Sequence, residues 1–323
     1  MPAEISQQSF AVVRDPESPP PGLTGSVVAI GNFDGVHRGH ATVIDRARIL
    51  AARLGRPAAA LTFEPHPADF FARRSVIFRL TPEPAKALAL ARLGLDGMIE
   101  FTFDTRLASL RAEDFIAEIL VRRVGVAGVV VGYDFHFGKG RLGTPAALVE
   151  AGQKHGFAVE VVEKVTHDEA GSLTEVNSTR IRQALEQGDV VLAERLLGHS
   201  YFIVGTVIEG AKLGRRLGFP TANVLPDPSC RLRHGIYAVR LVVDGHTHAG
   251  VASYGRRPTF DNGAVLLETF IFDFAGDLYG KTVEIDFVGW IRPEEKFSSA
   301  DALVAEIHRD IARAKAILAE ATP

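Results

Sequence analysis

A short apolar run that ends among closely spaced glycines and histidines constrains this chain more than any other stretch. Residues 27–30 are Val-Val-Ala-Ile, which predicts a buried strand, and glycines end it. The apolar, Ala- and Arg-rich run from Ala41 to Leu54 then predicts a helix. His37 and His40 stand three residues apart at the start of that helix, on one face. A helix N-terminus offers unpaired N–H groups, and two imidazoles beside it suit the binding of a triphosphate.

Short apolar strands alternate with helices along the first half of the chain. The further predicted strands are 10–14, 57–63, 97–101, 128–131 and 158–165, and the further predicted helices are 82–93, 112–123, 145–155 and 178–187. Thr81 is expected to cap the helix at 82–93, and Ser178 or Thr179 the helix at 178–187. This alternation predicts a parallel sheet covered on both faces, whose ligands bind beyond the carboxyl ends of the strands.

From residue 201 onward the pattern changes to alternating strands joined by tight turns. The predicted strands are 201–209, 221–223, 235–243, 250–254, 266–272 and 282–290. Asp244-Gly245 is a hairpin signal, and Ser299 to Ala321 is an amphipathic helix that closes the chain. Antiparallel strands without crossover helices predict a small β-barrel with a terminal helix. We expect two domains, comprising residues 1–184 and residues 185–323.

A glycine-rich basic loop precedes the predicted strand at 221–223. Its backbone N–H groups could wrap phosphates, and its glycines and cations are Gly210, Lys212, Gly214, Arg215, Arg216 and Gly218. Thr221 and Asn223 are two residues apart on a strand, so both side chains face the same way. Their oxygens are suitable ligands for Mg²⁺. The alternative is a glycine-rich barrel corner followed by a capping threonine.

Glu268 is an acidic residue inside an otherwise apolar strand. Such a residue either faces outward on an exposed sheet or is held in a cleft. In a cleft it could accept a proton from an alcohol that attacks ATP.

Composition limits the classes of function that this chain can have. A net charge of −3 gives no basic field for nucleic acid or an anionic membrane. The single cysteine, Cys230, excludes an intrachain disulfide and a zinc cluster. The sequence shows neither a run of about 18 apolar residues nor a signal peptide, so we expect a cytoplasmic protein. The expected partners are small-molecule substrates, without nucleic acid or membrane, and the expected state is a monomer or weak homo-oligomer.

Two motifs carry a resemblance to known proteins. Gly-x-Phe-Asp-x-x-His-x-Gly-His at 31–40 resembles the HxGH signature that nucleotidyltransferases share with class I aminoacyl-tRNA synthetases. Together with Pro-Thr-Ala-Asn at 220–223, it makes the chain resemble the prokaryotic bifunctional riboflavin kinase/FAD synthetases over nearly its whole length. The resemblance implies an α/β fold followed by a β fold. The first is a Rossmann-like HxGH nucleotidyltransferase domain with a parallel sheet, and the second a flavokinase-like, six-stranded antiparallel barrel.

The same resemblance implies two reactions and a set of site residues. The C-terminal half would phosphorylate riboflavin with ATP to FMN, with Glu268 as base and Thr221 and Asn223 holding Mg²⁺. The N-terminal half would adenylylate FMN with ATP to FAD and pyrophosphate, with His37 and His40 stabilising the phosphates. The ATP- and flavin-binding residues implied for the N-terminal half are Gly31, Asn32, Phe33, Asp34, Gly39, His66, Asp134, Phe135, Phe137, Gly138, Arg141, Ser178, Thr179 and Arg182. Those implied for the C-terminal half are Gly210, Lys212, Gly214, Arg215, Gly218, Pro220, Thr221, Asn223, Arg292 and Phe297.

Two functions of other classes stay open at this point. One is a flavin-responsive binding or regulatory protein with an inactive catalytic half. The other is an HxGH protein that acts with tRNA or another nucleic acid, which the acidic charge balance disfavours.

Overall fold

The computed structural model describes residues 10–163, 176–210, 214, 217–256 and 265–321. Its strands are β1 (Ala11–Arg14), β2 (Val27–Ile30), β3 (Ala58–Glu64), β4 (Gly97–Thr102), β5 (Gly128–Gly132), β6 (Ala158–Val162), β7 (Tyr201–Ile208), β8 (Thr221–Val224), β9 (Gly235–Val243), β10 (His246–Arg256), β11 (Val265–Ile271) and β12 (Thr282–Arg292). Its α-helices are α1 (Arg38–Leu54), α2 (Pro67–Ala72), α3 (Ala85–Arg92), α4 (Thr105–Ser109), α5 (Ala112–Asp114), α6 (Pro145–His155), α7 (Ser178–Gln187), α8 (Val190–Leu197) and α9 (Ala300–Glu320). A π-helix at Phe115–Val124 continues α5, and a 3₁₀ turn covers Lys139–Arg141.

The chain divides into two compact units. The first unit comprises residues up to 77 together with 86–176, and the second comprises 78–85 together with 177 onward. This division is based on compactness and does not assign an activity. The boundary of the two activities at residues 184 and 185 therefore stays a prediction.

The first unit is built around the predicted parallel sheet. Its six strands lie in the order β1-β4-β3-β2-β5-β6, and each pair is parallel. Strands β2 and β3 are buried along almost their whole length, because helices cover both faces of the sheet. The carboxyl ends of β3, β2 and β5 are neighbours in this order. The segments that follow these three strands therefore meet at one edge, where ligands of such sheets bind.

Three of the predicted helices differ from the structure in their details. The helix predicted at 82–93 begins at Ala85, so the expected cap by Thr81 is wrong. Pro84 explains the difference, because the residue before a proline is disfavoured in helical conformation. Helix α7 is capped by Asn177, whose side-chain oxygen accepts a hydrogen bond from the Arg180 amide at 2.9 Å, and not by Ser178 or Thr179. The helix predicted at 112–123 is α-helical for its first turn only and then continues as the π-helix.

The second unit contains the closed antiparallel barrel that the sequence predicts. Its strands lie in the order β10-β11-β8-β7-β12-β9. Asp244 and Gly245 join β9 to β10 with φ angles of 50° and 76°, as a tight hairpin turn with two left-handed positions requires. Helix α9 packs on the barrel through an apolar cluster that includes Ala238, Val251 and Ala314.

Candidate active sites

The turn after β2 has an unusual backbone. Phe33, Gly35 and Val36 have φ angles of 46°, 88° and 43°. Left-handed backbone is uncommon for residues other than glycine and is least favourable for a β-branched residue such as Val36. The Phe33 ring is buried and lies over Gly31, where a Cβ would be 3.3 Å from the ring. Such conformations persist only where the surrounding structure enforces them, and they cluster at ligand sites.

The two histidines of the HxGH motif stack on one another at the start of α1. The ring of His37 lies 3.7 Å from the ring of His40, with 13° between their planes. His37 also caps α1, because its Nδ1 accepts a hydrogen bond from the His40 amide at 3.3 Å. Gly39 leaves room for this arrangement, since a Cβ there would lie 3.2 Å from the His37 ring. Both imidazoles thus lie beside the positive end of the helix dipole, which favours anions.

The surroundings of His40 favour its neutral form. Burial, with smaller contributions from the charges of His37 and Lys86, keeps the pKa of His40 well below its ordinary value. Its Nδ1 is buried and makes no hydrogen bond within the described ranges. A neutral imidazole in this position can offer one N–H to a phosphate oxygen.

A row of aromatic rings follows the strand ends of the first unit. We call it the phenylalanine row; it consists of Phe63, Phe70, Phe71, Phe103, Phe115, Phe135 and Phe137. Adjacent ring centroids lie 5.3 to 6.3 Å apart, and Phe135 stacks on Phe137 at 5.6 Å with an interplanar angle of 17°. Only Phe135 and Phe137 were predicted from the sequence. The signal for Phe63 and Phe103 was their position at the ends of apolar strands.

Three polar residues lie side by side on adjacent strands of the barrel. Two of them, Glu268 and Asn223, were predicted from the sequence, and the third is Ser253. Glu268 on β11 pairs with Asn223 on β8, and on its other side with Ser253 on β10. Residues paired directly across strands project from the same face of a sheet. Thr221 pairs with Phe270, two residues from Glu268, and so lies on that face as well. Glu268 is half-buried there, and its role as a base stays a prediction.

Asn223 has a side-chain oxygen suited to a cation. The residue is 4 % exposed, and its Oδ1 is buried without a hydrogen-bond partner in the described part of the chain. Its Nδ2 donates to the Thr221 carbonyl at 3.4 Å, which directs the amide. Gly210 makes room for it, because a Cβ there would lie 2.5 Å from Nδ2. An orphaned buried oxygen beside a threonine hydroxyl fits the oxygen ligands that Mg²⁺ prefers.

Glu294 joins this group, although the sequence did not single it out. The Ser253 hydroxyl donates to its Oε1 at 3.4 Å, and its carboxylate lies against Gly255 where a Cβ would otherwise be. Burial raises the pKa of Glu294; His234 and the Ser253 hydrogen bond oppose the rise, and the Glu268 carboxylate adds to it. Two carboxylates therefore face the same end of the barrel.

Both halves of the chain match known protein families. A family model described as FAD synthetase matches residues 20–180, and one described as riboflavin kinase matches residues 197–318. A protein of Pseudomonas fluorescens named bifunctional riboflavin kinase/FMN adenylyltransferase is 43% identical over 304 residues, which cover 91% of this chain and 94% of that protein. An Escherichia coli K12 protein of the same name is 40% identical over 287 residues, covering 88% and 90% of the two chains. The chain belongs to the bifunctional riboflavin kinase/FMN adenylyltransferase family.

A solved structure from Streptococcus pneumoniae has the same overall fold. That protein is named a macrolide-efflux protein and is 29% identical to this chain. The two align with a TM-score of 0.78 over 94% of this chain and 98% of the other. Within the described ranges, none of the helices of this bifunctional chain has the length and apolar character of a membrane span.

Several residues that the family resemblance implied for adenylyl transfer have other contacts in the structure. His66 caps α2, with its Nδ1 accepting from the Ala68 amide at 3.1 Å. Asp134 and Arg141 are exposed, and Arg141 has a φ of 59°. Gly138 has a φ of 71° and lies so close to the Ala112 amide that a Cβ would be 2.8 Å from its nitrogen. The roles of these residues toward ATP and flavin stay predictions.

Helix α7 carries the other cation predicted for the adenylyltransferase half. Ser178, Thr179 and Arg182 belong to the second unit. The Nε of Arg182 donates to the Phe78 carbonyl at 2.7 Å within that unit. Their contribution to a nucleotide pocket also stays a prediction.

The remaining residues predicted for the kinase half lie near the barrel's end or outside the described ranges. Lys212 and Arg215 are outside those ranges. The Gly214 carbonyl accepts a hydrogen bond from the Phe219 amide at 2.8 Å. Gly218 has a φ of 90°, so both glycines shape the turn before Pro220. Arg292 is 8 % exposed and forms a two-pronged ion pair with Asp310 on α9, while its guanidinium lies 5.7 Å from the Phe297 ring.

A separate cleft opens beside the ends of β1 and β4. It has a volume of about 320 Å³, and its lining includes Asp15, Thr102 and Arg123. None of its lining residues was predicted for a site. The cleft does not coincide with residues 31–40, the turn after β2 with its HxGH motif, which we call the HxGH turn.

Proposed function

We propose that the two activities of the family are divided between the two units of this chain. The HxGH turn of the first unit transfers the adenylyl group of ATP to FMN, and the barrel phosphorylates riboflavin. The enzyme therefore makes both flavin cofactors from the vitamin and ATP. The observation that carries this assignment is the match of consecutive halves of one chain to the two families, at high coverage.

In the barrel, Glu268 is proposed as the general base. As the ribityl hydroxyl oxygen of riboflavin attacks the γ-phosphorus of ATP, its proton passes to the Glu268 carboxylate and ADP leaves. The Ser253–Glu268–Asn223 line supports this role, since it places the carboxylate next to Asn223, a proposed Mg²⁺ ligand. The Glu268 carboxylate contributes to the raised pKa of Glu294, so the two acidic groups are close enough to interact.

Thr221 and Asn223 are proposed to hold Mg²⁺ through their side-chain oxygens. The orphaned Oδ1 of Asn223 supports this assignment. When bound, the cation would neutralise charge on the ATP phosphates. In the residues that the structure describes, no three His, Cys, Asp or Glu side chains form an alternative metal site.

In the first unit, His37 and His40 are proposed to stabilise the reacting phosphates. A phosphate oxygen of FMN attacks the α-phosphorus of ATP, and pyrophosphate leaves. The imidazole N–H groups and the α1 N-terminus donate to phosphate oxygens as charge moves toward the leaving group. Because FMN phosphate is itself a nucleophile, positioning and charge stabilisation supply the catalysis and no covalent enzyme intermediate is needed.

The phenylalanine row is proposed to bind the flavin ring of FMN. A planar, mostly apolar ring system stacks favourably on aromatic side chains at separations such as those within the row. Phe71 is 68% exposed, so part of the row has aromatic surface available to a ligand. A reducing cytoplasm and a monomeric or weakly associated state stay predictions from the sequence.

The decisive experiment incubates the purified protein with riboflavin, ATP and Mg²⁺ and separates the flavins by chromatography. We expect FMN to appear first and FAD to follow. A second reaction that starts from FMN tests adenylyl transfer alone. Accumulation of neither product would refute the proposed function, and binding of flavin without turnover would favour a regulatory protein.

A further inference from the structure

A fully buried lysine lies behind the HxGH turn. Lys86 is in the first turn of α3 and is 1 % exposed. Its Nζ donates to the Thr62 hydroxyl at 3.3 Å and lies 3.7 Å from the Glu64 carboxylate. Lysine is almost never fully buried unless it is paired, because an ammonium group is costly to remove from water.

Two features of its surroundings make a charged Lys86 unfavourable at this position. The first turn of a helix carries the positive end of the helix dipole, which disfavours a cation there. The neighbouring Glu64 is 31% exposed, so part of its attraction to the buried ammonium is screened by solvent. Residues that break local rules in this way are concentrated at functional sites.

Hydrogen bonds connect Lys86 to the backbone of the turn. The Thr62 hydroxyl accepts from Lys86 and donates to the Asn32 carbonyl at 3.3 Å. An ammonium can only donate and a carbonyl can only accept, so the direction of both bonds is fixed. Thr62 is completely buried on β3, which makes this link rigid. Asn32 lies directly before Phe33, the first left-handed position of the turn.

The charge of Lys86 also reaches the catalytic histidine pair. It is one of the three causes that lower the pKa of His40, after burial and His37. The other described contacts of the His40 ring are the stacked His37 ring and the edge of Phe33, at 5.3 Å. The Lys86 ammonium thus lies on the protein side of the imidazoles, where it needs no rearrangement as phosphate charge develops.

We propose that Lys86 is a positioning residue for adenylyl transfer: through Thr62 it fixes the Asn32 backbone of the HxGH turn, and its buried charge acts on the reacting phosphates through His40. This inference rests on the proposed role of the HxGH turn. It assigns Lys86 no contact with substrate.

Two variants separate the two parts of this role. Lys86→Met removes the charge and the hydrogen bond but keeps an unbranched apolar chain. Thr62→Val keeps the shape of the strand residue and the charge of Lys86 but breaks the link to Asn32. We expect Lys86→Met to lower the rate of FAD formation from FMN at least about tenfold and Thr62→Val to lower it less. Both should form FMN from riboflavin within about twofold of the wild type, since that site is on the barrel.

NMR titration of the His40 ring supplies a readout that a merely structural role would not change. In Lys86→Met the pKa of His40 should rise, because a repelling cation is lost, whereas in Thr62→Val it should stay near the wild-type value. Unchanged FAD formation in Lys86→Met, or an unchanged His40 pKa in that variant, would overturn the proposal. If Lys86→Met fails to fold, Thr62→Val decides: unimpaired FAD formation there refutes the link to Asn32. Wild-type protein that forms no FAD would instead refute the proposed function itself.

Discussion

Glu268 shows how one residue's chemistry depends on its neighbours across the sheet. Its strand is otherwise apolar, and its cross-strand neighbours, Asn223 and Ser253, come from two other strands. The same carboxylate on a face open to water would be solvated and would have no neighbouring groups to act with. The line of three side chains across β10, β11 and β8 is therefore what supports a general base.

Glu268→Gln removes the base while keeping the size of the side chain. We expect FMN formation from riboflavin to fall by about 10²- to 10⁴-fold, the usual contribution of general base catalysis. FAD formation from FMN should be unaffected. Glu320→Gln, at the exposed end of α9, is the matched control and should change neither rate. A loss of both activities in Glu268→Gln would contradict the separation of the sites.

His40→Asn is expected to have the reverse effect. It removes an imidazole N–H from the phosphates, so FAD formation from FMN should fall by about 10²-fold or more. FMN formation should continue at the wild-type rate, which the same chromatographic assay measures. Normal FAD output from this variant would remove His40 from the site.

The low pKa of His40 also predicts a dependence of stability on pH. An unfolded histidine takes up a proton near pH 6.5, whereas desolvation and the nearby His37 and Lys86 lower the pKa of the folded His40. The stabilisation is therefore complete above about pH 6.5 and is lost as the pH falls below that value. Hydrogen exchange of β2 and α1 amides should quicken between pH 7 and pH 5, after correction for intrinsic rates. In His40→Asn the increase in exchange rate between pH 7 and pH 5 should be smaller. Equal increases in the variant and the wild type would contradict the assignment of this pH dependence to His40.

At the scale of elements, the terminal helix is held to the barrel by a buried ion pair as well as by apolar packing. Arg292 ends β12, and its Nε and Nη2 donate to the two carboxylate oxygens of Asp310 at 2.9 and 2.7 Å. Glu306 lies 3.4 Å from the same guanidinium. Arg292 was predicted to bind ATP or flavin, and its engagement with α9 is a structural role that the sequence did not indicate.

Asp310→Ala leaves the buried Arg292 without its principal partner. Breaking a buried pair from one side typically costs about 3–5 kcal/mol, because the remaining charge stays desolvated. We expect the unfolding free energy of the barrel to fall by this amount, measured by guanidinium titration with the fluorescence of Trp290 on β12. Asp301→Ala, at an exposed position in the first turn of α9, should cost less than about 1 kcal/mol. Equal effects of the two substitutions would show that the pair contributes little.

At the scale of the whole molecule, the two activities are expected to be independent. The residues proposed to carry the chemistry of each reaction lie in one unit: the HxGH turn and phenylalanine row in the first, and the β8–β11–β10 line in the second. FMN made in the barrel can therefore reach an adenylyltransferase site on another molecule by diffusion.

A mixture of Glu268→Gln and His40→Asn proteins tests this independence. Neither variant alone should convert riboflavin to FAD at an appreciable rate. Together they should do so, after a lag in which free FMN accumulates, as followed by chromatography of samples over time. A mixture that accumulates FMN but makes no FAD would mean that FMN must pass within one molecule.

The sequence alone determined the parallel sheet, the barrel and the location of both motifs. These depend on local periodicity and turn residues, such as the apolar run before the glycines of the first turn and Asp244-Gly245 in the barrel. Short-range pattern also placed Thr221 and Asn223 on one face of a strand. It could not identify which strands are adjacent, so it left the surroundings of Glu268 open.

Only the tertiary structure decided the contacts between residues that are distant in sequence. The pairing of Glu268 with Asn223, the ion pair of Arg292 with Asp310, and the link from Lys86 to the HxGH turn all span at least 18 residues. The residues next to Lys86 in α3 or Asp310 in α9 do not indicate that these charged side chains are buried. Their burial depends on which other elements pack against the helix. Local pattern fixed the elements and the motifs, and packing fixed which charges are buried and paired, because desolvation is a property of the whole fold.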